Sequence, residues 1–283
     1  MDWPILMLFF FGGLSALLLL GLPVAFAFLF VNVIGVYVFW GGTIGLQQLI
    51  LSIDSSISTF VLVPVPMFIL MGTVIFHSGI AYRMIDVLDE WLGRIAGRLA
   101  LLAIGAGSLF GTLTGVAMGS VAMLGSTLVP DMERRGYSKS MSIGPILASG
   151  SLAIMIPPSA LGVILASMGQ FSVGKLLIGI LLPGLLLAVV YATYVVIRCH
   201  IQPHLAPAYE VVPTPIGPRI MRTLQYVLPL VIIIGIVIGT IFAGVATPTE
   251  AAALGALFCF LLVACYGKLT WQVIKKSVAA ATT

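Results

Sequence analysis

Long apolar runs, separated by short turns rich in glycine and proline, fill this chain from end to end. Seven of them approach or exceed the roughly 20 residues that a helix needs to cross a bilayer core. They are Pro4–Leu20, Pro23–Trp40, Leu99–Val129, Ser142–Ser167, Leu176–Ile197, Tyr226–Ala243 and Pro248–Tyr266. Over Leu46–Gly79 the pattern changes: a helix-like run, Leu46–Leu62, meets Pro64-Val65-Pro66, and a second run, Met67–Phe76, leaves it. Each arm is marginal for a crossing, and prolines withdraw hydrogen-bond donors. The stretch therefore reads as a re-entrant hairpin with a buried tip at Pro64–Pro66, one kinked span being the alternative. Over Ala81–Arg98, apolar residues from Ile80 to Ile95 recur at helical spacing among Arg83, Asp86, Asp89, Glu90, Arg94 and Arg98. That is the pattern of an amphipathic helix lying in the interface, with Trp91 at headgroup depth.

Two of these stretches share their punctuation. Pro4 and Pro23 lie 19 positions apart, as do Pro229 and Pro248, and the second pair follows the first by 225 positions. Gly42 and Gln47 map onto Gly267 and Gln272 at the same offset. Proline is cheap in the first turn of a helix, where its missing N–H has no intrahelical partner. The match predicts an internal repeat, and repeated membrane halves are typical of secondary carriers. The proline-studded break His200–Pro218 divides the first repeat from the second. The last stretch, Trp271–Ala281, answers to Leu46–Ser56, so the partner of the first unit's later elements is expected from a longer polypeptide or from another chain.

Composition fixes the solvent. The chain is 60% hydrophobic and 8% charged, with a mean hydropathy of +1.20, against about 25% charged in soluble domains. The opening run lacks a basic n-region and an A-x-A cleavage signal, so it reads as a retained span. Cys199, Cys259 and Cys265 have no metal-like spacing, and Cys259 and Cys265 read as small core residues. The net charge of +4 comes from loop residues and forms no stripe for nucleic acid. Counting crossings from the N-terminal face, with the Leu46–Gly79 hairpin returning to it, leaves Arg83, Arg94, Arg98 and Lys175 on that face. The opposite face takes Arg134, Arg135, Lys139, Arg198, Arg219, Arg222, Lys268, Lys275 and Lys276. The positive-inside rule makes the richer face cytoplasmic, and the second repeat then starts from the face opposite the first.

The expected fold is an all-α integral membrane protein, a polytopic helical bundle with a re-entrant hairpin and a broken span. It comprises one full repeat unit plus the first hairpin of an inverted second repeat. Residues 1–45 form a first scaffold helix pair and 46–197 a transport unit. A loop, 198–225, follows, and 226–283 begin the second repeat.

Candidate chemistry concentrates where helices are hard to continue. Leu99–Val129 is longer than a straight span requires, and its middle, Gly111–Ser120, is rich in glycine and hydroxyls. In lipid, free backbone groups are tolerated only where they line a protein cavity. A loosened helix here frees carbonyls for a cation and turns a half-helix N-terminus toward an anion, with Thr112, Thr114 and Ser120 as further oxygen donors beside Gly115 and Gly119. The competing reading is small residues for close helix packing. Ser149-Gly150-Ser151 and Ile156-Pro157-Pro158-Ser159 interrupt the next span, a diproline being incompatible with an unbroken helix. Ionisable residues at membrane depth are few. Glu250, three residues after Thr247, fits a capping box; Asp54 reaches the interface and His77 reads as a surface residue. There is no P-loop, H-E-x-x-H or G-x-S-x-G, no catalytic acid, base or nucleophile, and no covalently bound cofactor is expected.

The segments Pro64–Gly72 (PVPMFILMG), Val129–Tyr137 (VPDMERRGY), Ser149–Ser159 (SGSLAIMIPPS), Leu182–Gly184 (LPG) and Gly21–Ala25 (GLPVA) resemble the large permease subunit, DctM-like, of the tripartite ATP-independent periplasmic (TRAP) transporters. The resemblance covers nearly the whole chain. It implies a sodium-driven elevator carrier in the bacterial inner membrane that takes a small organic anion, such as a C4-dicarboxylate, from a periplasmic solute-binding protein. It also implies a small DctQ-like membrane subunit as partner, and a longer polypeptide than this one. By the same resemblance Na+ lies near the hairpin tip, Pro64–Pro66, and the broken span, close to Thr114 and Gly115, with the solute near the same breaks. Where many members carry a serine-rich break, this chain reads Thr114-Gly115-Val116-Ala117. Two other readings compete: a symporter of another inverted-repeat family that needs no binding protein, and an inert fragment. An intramembrane enzyme built on Asp54 and His77 is the reading from a different class.

Overall fold

The computed structural model describes residues 3–93, 95–207 and 215–282, all helices and turns among the described residues. The chain separates into two compact units, Met1–Phe60 and Val61–Thr283.

In the first unit, α1 (Trp3–Met7) runs through a π-helical turn, Leu8–Gly12, into α2 (Gly13–Leu19). Then come α3 (Val24–Phe39) and α4 (Thr43–Ile57). Phe9 meets Phe39 edge-on at 5.2 Å between ring centroids. Gly35 opens the space that the Phe10 ring fills, since a Cβ there would sit 2.8 Å from that ring.

The second unit opens with α5 (Pro64–His77) and the amphipathic α6 (Ile80–Trp91). It continues with α7 (Arg98–Thr114), α8 (Ala117–Arg134), α9 (Lys139–Met155), α10 (Ala160–Met168) and α11 (Val173–Ile201). It closes with α12 (Ile216–Tyr226), α13 (Leu228–Phe242), α14 (Pro248–Cys265) and α15 (Trp271–Thr282). A continuous apolar core joins α5 to α11 and takes in α13 and α14. Lipid gives no hydrophobic drive between helices, so small residues and close packing set their contacts.

Leu46–Gly79, expected to be a re-entrant hairpin, holds α4 in one unit and α5 in the other. The boundary between the two units falls inside that stretch, and Phe60–His77 alone is 18 residues long and apolar enough to cross a membrane. Pro64–Pro66 start this helix rather than break it, because first-turn prolines cost no intrahelical bond. A helical hairpin lies in the stretch expected to be one broken crossing, Leu99–Val129. α7 and α8 fold back on each other: a Cβ on Gly107 would come within 3.0 Å of Leu124 Cδ1, 17 positions on. In a continuous helix such residues lie about 25 Å apart. The two feet also meet, the Leu99 N–H donating to the Tyr137 hydroxyl at 3.4 Å. Asp131 pairs with Arg135 at 2.9 Å, and Gly136 (φ +78°) ends α8 in a left-handed turn.

The interfacial helix is shorter than Ala81–Arg98. It ends at Trp91, and Arg98 opens α7 with its side chain folded back onto α6. Arg98 is 3% exposed; it donates to Asp89 Oδ1 from Nε (2.7 Å) and to the Asp89 and Gly93 carbonyls (2.6 and 3.1 Å). Arg94 lies outside the described residues. The expected loop, 198–225, is also shorter: α11 continues to Ile201, and Ile216–Tyr226 forms α12. There Glu90 pairs with Arg222 (2.5 Å), the Trp91 indole donates to Thr223 Oγ1 (2.8 Å), and Arg219 stacks over the Trp91 ring. α6 therefore shares a face with α12 and the end of α11, where a Cβ on Gly97 would meet Cys199 Sγ at 2.6 Å. This moves Arg83 and Arg98 onto the basic face, the reverse of the sequence-based count. In a cysteine-free background, Ile95→Cys and Ser140→Cys should react with a membrane-impermeant maleimide from one face and Gln170→Cys from the other. Labelling of the first two from opposite faces would make α7–α8 a crossing after all.

At the offset seen in the sequence, the bounds of α3 and α4 match those of α14 and α15 to within three residues, and Gly42 and Gly267 carry nearly equal φ, +64° and +65°. The capping box forms as expected, Thr247 and Glu250 each accepting from the other's backbone N–H. Cys259 is buried as expected, whereas Cys265 is exposed.

Candidate functional site

Two interruptions meet inside the second unit. One is the hairpin tip, Gly115-Val116, between α7 and α8; the other is Ile156–Ser159, where α9 and α10 bend by 49°. The Ala160 N–H donates to the Gly115 carbonyl at 3.3 Å, tying tip to break. Glycine is required at the tip on two counts: φ is +61°, and an added Cβ would lie 2.9 Å from the Ala160 nitrogen. α5 closes the third side. A Cβ on Gly72 would sit 2.3 Å from Thr114 Cα, so the tip rests directly on the α5 backbone.

Close approach along the hairpin follows one face of α7. Gly107 and Gly111 abut Ser149 and Ala153 of α9, where added Cβ atoms would come within 2.3 and 2.5 Å. Gly107, Gly111 and Gly115 stand four apart and so share that face. The small-residue reading of Gly111–Ser120 therefore holds for the α7 arm, and the broken-backbone reading for its end.

The electrostatics are those of backbone alone. No ionisable side chain occurs within residues 107–120 or 149–162. The C-terminal ends of α7 and α9 bring carbonyls to the junction, and the N-terminal ends of α8 and α10 bring N–H groups. Each helix end carries roughly half an elementary charge, negative at the carbonyl end and positive at the N–H end. One arrangement therefore offers oxygens to a cation and N–H groups to an anion. Among the described residues no group of three or more His, Cys, Asp or Glu could hold a metal.

The hydroxyls expected here differ in their use. Thr112 and Thr114 are buried and donate to the Leu109 and Gly111 carbonyls (2.7 and 3.2 Å). Ser120 and Ser149, fully buried, donate to Ala117 and Ile146 (2.9 and 2.7 Å). Their donors are spent on their own helices, and oxygen lone pairs remain. Ser159 caps α10, accepting from the Gly162 N–H at 3.1 Å. Pro157 and Pro158 are buried at the break. Other expected residues fall elsewhere. Ser151 turns to the Tyr191 hydroxyl at 3.2 Å, Gly150 packs on Val121, and Gly119 faces open space. Pro64, Val65 and Pro66 open α5, whose contact with the tip is at Gly72, about 9 Å further along at 1.5 Å per residue. Asp54 is exposed on α4. His77 is not a surface residue: half-buried, its ring Nδ1 lies 2.8 Å from the Thr73 carbonyl and 3.5 Å from Ser277 Oγ on α15.

Gly72, Ala153 and Ala160 belong to the junction but carry no chemical signal. Only the four-residue spacing of glycines in α7 announces them. The LPG segment has a packing role: a Cβ on Gly184 would sit 2.7 Å from the Met155 carbonyl at the end of α9.

A helical hairpin seated against a broken helix, within apolar helices of membrane length, defines a multi-pass membrane protein. Comparison with known proteins narrows this further. The chain belongs to the family described as "Tripartite ATP-independent periplasmic transporter, DctM component", whose model matches residues 11–283. It is 34% identical over 250 residues to the ectoine TRAP transporter large permease protein TeaC of Halomonas elongata, covering 87% of this chain and 56% of that one. To the C4-dicarboxylate TRAP transporter large permease protein DctM of Rhodobacter capsulatus it is 32% identical over 286 residues, covering 95% and 63%. To the isethionate TRAP transporter permease protein DctMQ of Oleidesulfovibrio alaskensis it is 30% identical over 261 residues, covering 90% and 39%. The chain thus spans less than two thirds of the length of these relatives. The family is one of transporter components rather than enzymes.

Proposed function

We propose that this chain forms the ion- and solute-binding half of a permease for sodium-coupled uptake of a small organic anion across the bacterial inner membrane. The observation that carries the reading is the hydrogen-bonded meeting of hairpin tip and broken helix, Gly115 to Ala160. Sodium sits among the α7 and α9 carbonyl ends, with Thr114 and Gly115 nearest and Thr112, Ser120 and Ser149 behind them. The solute's anionic group lies against the α8 and α10 N–H ends, beside Ser159. A cation that binds only the closed junction favours it by mass action, and the ordered junction then receives the anion. The relatives named above carry ectoine, C4-dicarboxylates and isethionate in their names. All three solutes bear a carboxylate or sulfonate, which supports a solute with an anionic group and leaves a C4-dicarboxylate as one member of the class.

A periplasmic binding protein delivers the solute, and a small membrane subunit completes the assembly. α13–α15 begin a second, inverted copy of the α2–α4 arrangement, whose later elements supply an opposing hairpin. The test is uptake into proteoliposomes holding the permease and its small subunit, with the loaded binding protein outside. Accumulation is expected only with an inward sodium gradient and all three parts present. Uptake that persists in potassium or choline, or without the binding protein, refutes the reading.

A further inference from the structure

Away from the tip-and-break junction, α9 and α11 part to leave a cavity of about 450 Å³, floored by Ile104 of α7. Gly144, Pro145 and Ala148 form the α9 wall, and Val190, Tyr191 and Tyr194 the α11 wall. These three residues are small or stop short, leaving the middle of the α9 side open, with Met141 nearer the basic end. The surrounding surface faces outward, with Leu147, Tyr194 and Ile197 exposed. At the basic face the cavity ends at Ser140 and Arg198, with exposed Lys139 adjoining. Among the described residues Arg198 has no carboxylate partner; the ion pairs there are Arg98–Asp89, Arg135–Asp131 and Arg222–Glu90.

We infer that this groove is a seat for one anionic phospholipid, its acyl chain between α9 and α11 and its phosphate on Arg198. Apolar walls alone would not select an occupant in a bilayer, because lipid tails are as apolar as the groove. Selection comes from charge: basic pockets between membrane helices hold anionic headgroups, and a tyrosine suits the interfacial depth at which Tyr194 stands. The deep end of the groove, at Ala148 and Tyr191, lies one turn from Ser151, whose hydroxyl meets that of Tyr191. A seated acyl chain therefore braces α9 below its break. The inference rests on the cavity and its charge, independently of what the junction carries.

The experiment is native mass spectrometry of the purified chain released from mixed micelles of phosphatidylglycerol and phosphatidylcholine in equal amounts. Retention of phosphatidylglycerol over phosphatidylcholine by about fivefold is expected, the ratio that one basic residue near the surface gives. Arg198→Gln, at an exposed position, should bring the two lipids level. Ala148→Trp, or Val190→Trp should the first disturb helix content by circular dichroism, fills the groove and should abolish retention of both. Free glycerol phosphate should not compete, since the acyl chain is part of the ligand. Equal retention of both lipids by the unmodified chain overturns the proposal, as does preference surviving Arg198→Gln or retention surviving both tryptophans. Displacement by glycerol phosphate would make the site one for a free phosphate ester, and the lipid seat would be wrong.

Discussion

Replacing Gly115 with alanine is expected to destabilise the chain by about 2–5 kcal/mol, while the same change at Gly119 stabilises it slightly. At position 115 the backbone is left-handed, φ +61°, which costs a residue with a Cβ roughly 1–2 kcal/mol. The new methyl would also stand 2.9 Å from the Ala160 nitrogen, and overpacking of this kind costs about 1–3 kcal/mol. Neither the helix nor the tip can shift freely, because Thr114 already rests on Gly72. Gly119 is the control. It is helical, exposed, and an added Cβ meets nothing within 4 Å, so alanine gains roughly 0.5–1 kcal/mol from backbone entropy. Unfolding titrations in mixed detergent measure both. Equal stability of the two variants would falsify the tip-to-break contact.

The second large effect lies at the hairpin's foot. Asp89→Ala removes the carboxylate that pairs with the Arg98 guanidinium, which is 3% exposed. Breaking a buried pair from one side costs about 3–5 kcal/mol. The lower end, about 3, is expected because Asp89 keeps 32% of its side-chain exposure. The double change Asp89→Leu with Arg98→Met removes charge on both sides and should return to within about 1 kcal/mol of the unmodified chain, as apolar replacements of buried pairs do. The same titrations give both values. If the double variant is as unstable as the single one, the pair does not act as a unit.

These predictions turn on features the sequence announces unevenly. The breaks at Gly115 and at Pro157-Pro158 are legible because glycine with hydroxyls, and two adjacent prolines, have direct backbone consequences. The Thr247–Glu250 cap is legible for the same reason: the spacing specifies the hydrogen bonds. The direction of the chain after Gly115 is not. The residues flanking the turn are uncharged on both sides, so hydropathy there cannot separate a kink from a reversal; a single left-handed residue makes that choice. Pro64-Val65-Pro66 is ambiguous for the complementary reason. Prolines mark equally the tip of a hairpin and the first turn of a helix, and only the length of the helix they open, α5 with its preceding turn, separates the two. The partnership of α6 with α12 is hidden as well. It includes side-chain contacts such as Glu90 with Arg222 and Trp91 with Thr223, between segments 132 positions apart, where charge pattern says only that each helix is amphipathic.

Because Leu99 and Tyr137 touch, the stretch between them enters and leaves through one doorway. Such an insert alters the handedness of nothing downstream: every later segment keeps its parity whether the insert is long, short or exchanged. The crossing order of the later helices is thus independent of the hairpin's length, while close approaches at Gly72, Gly107 and Gly111 hold its arms in place.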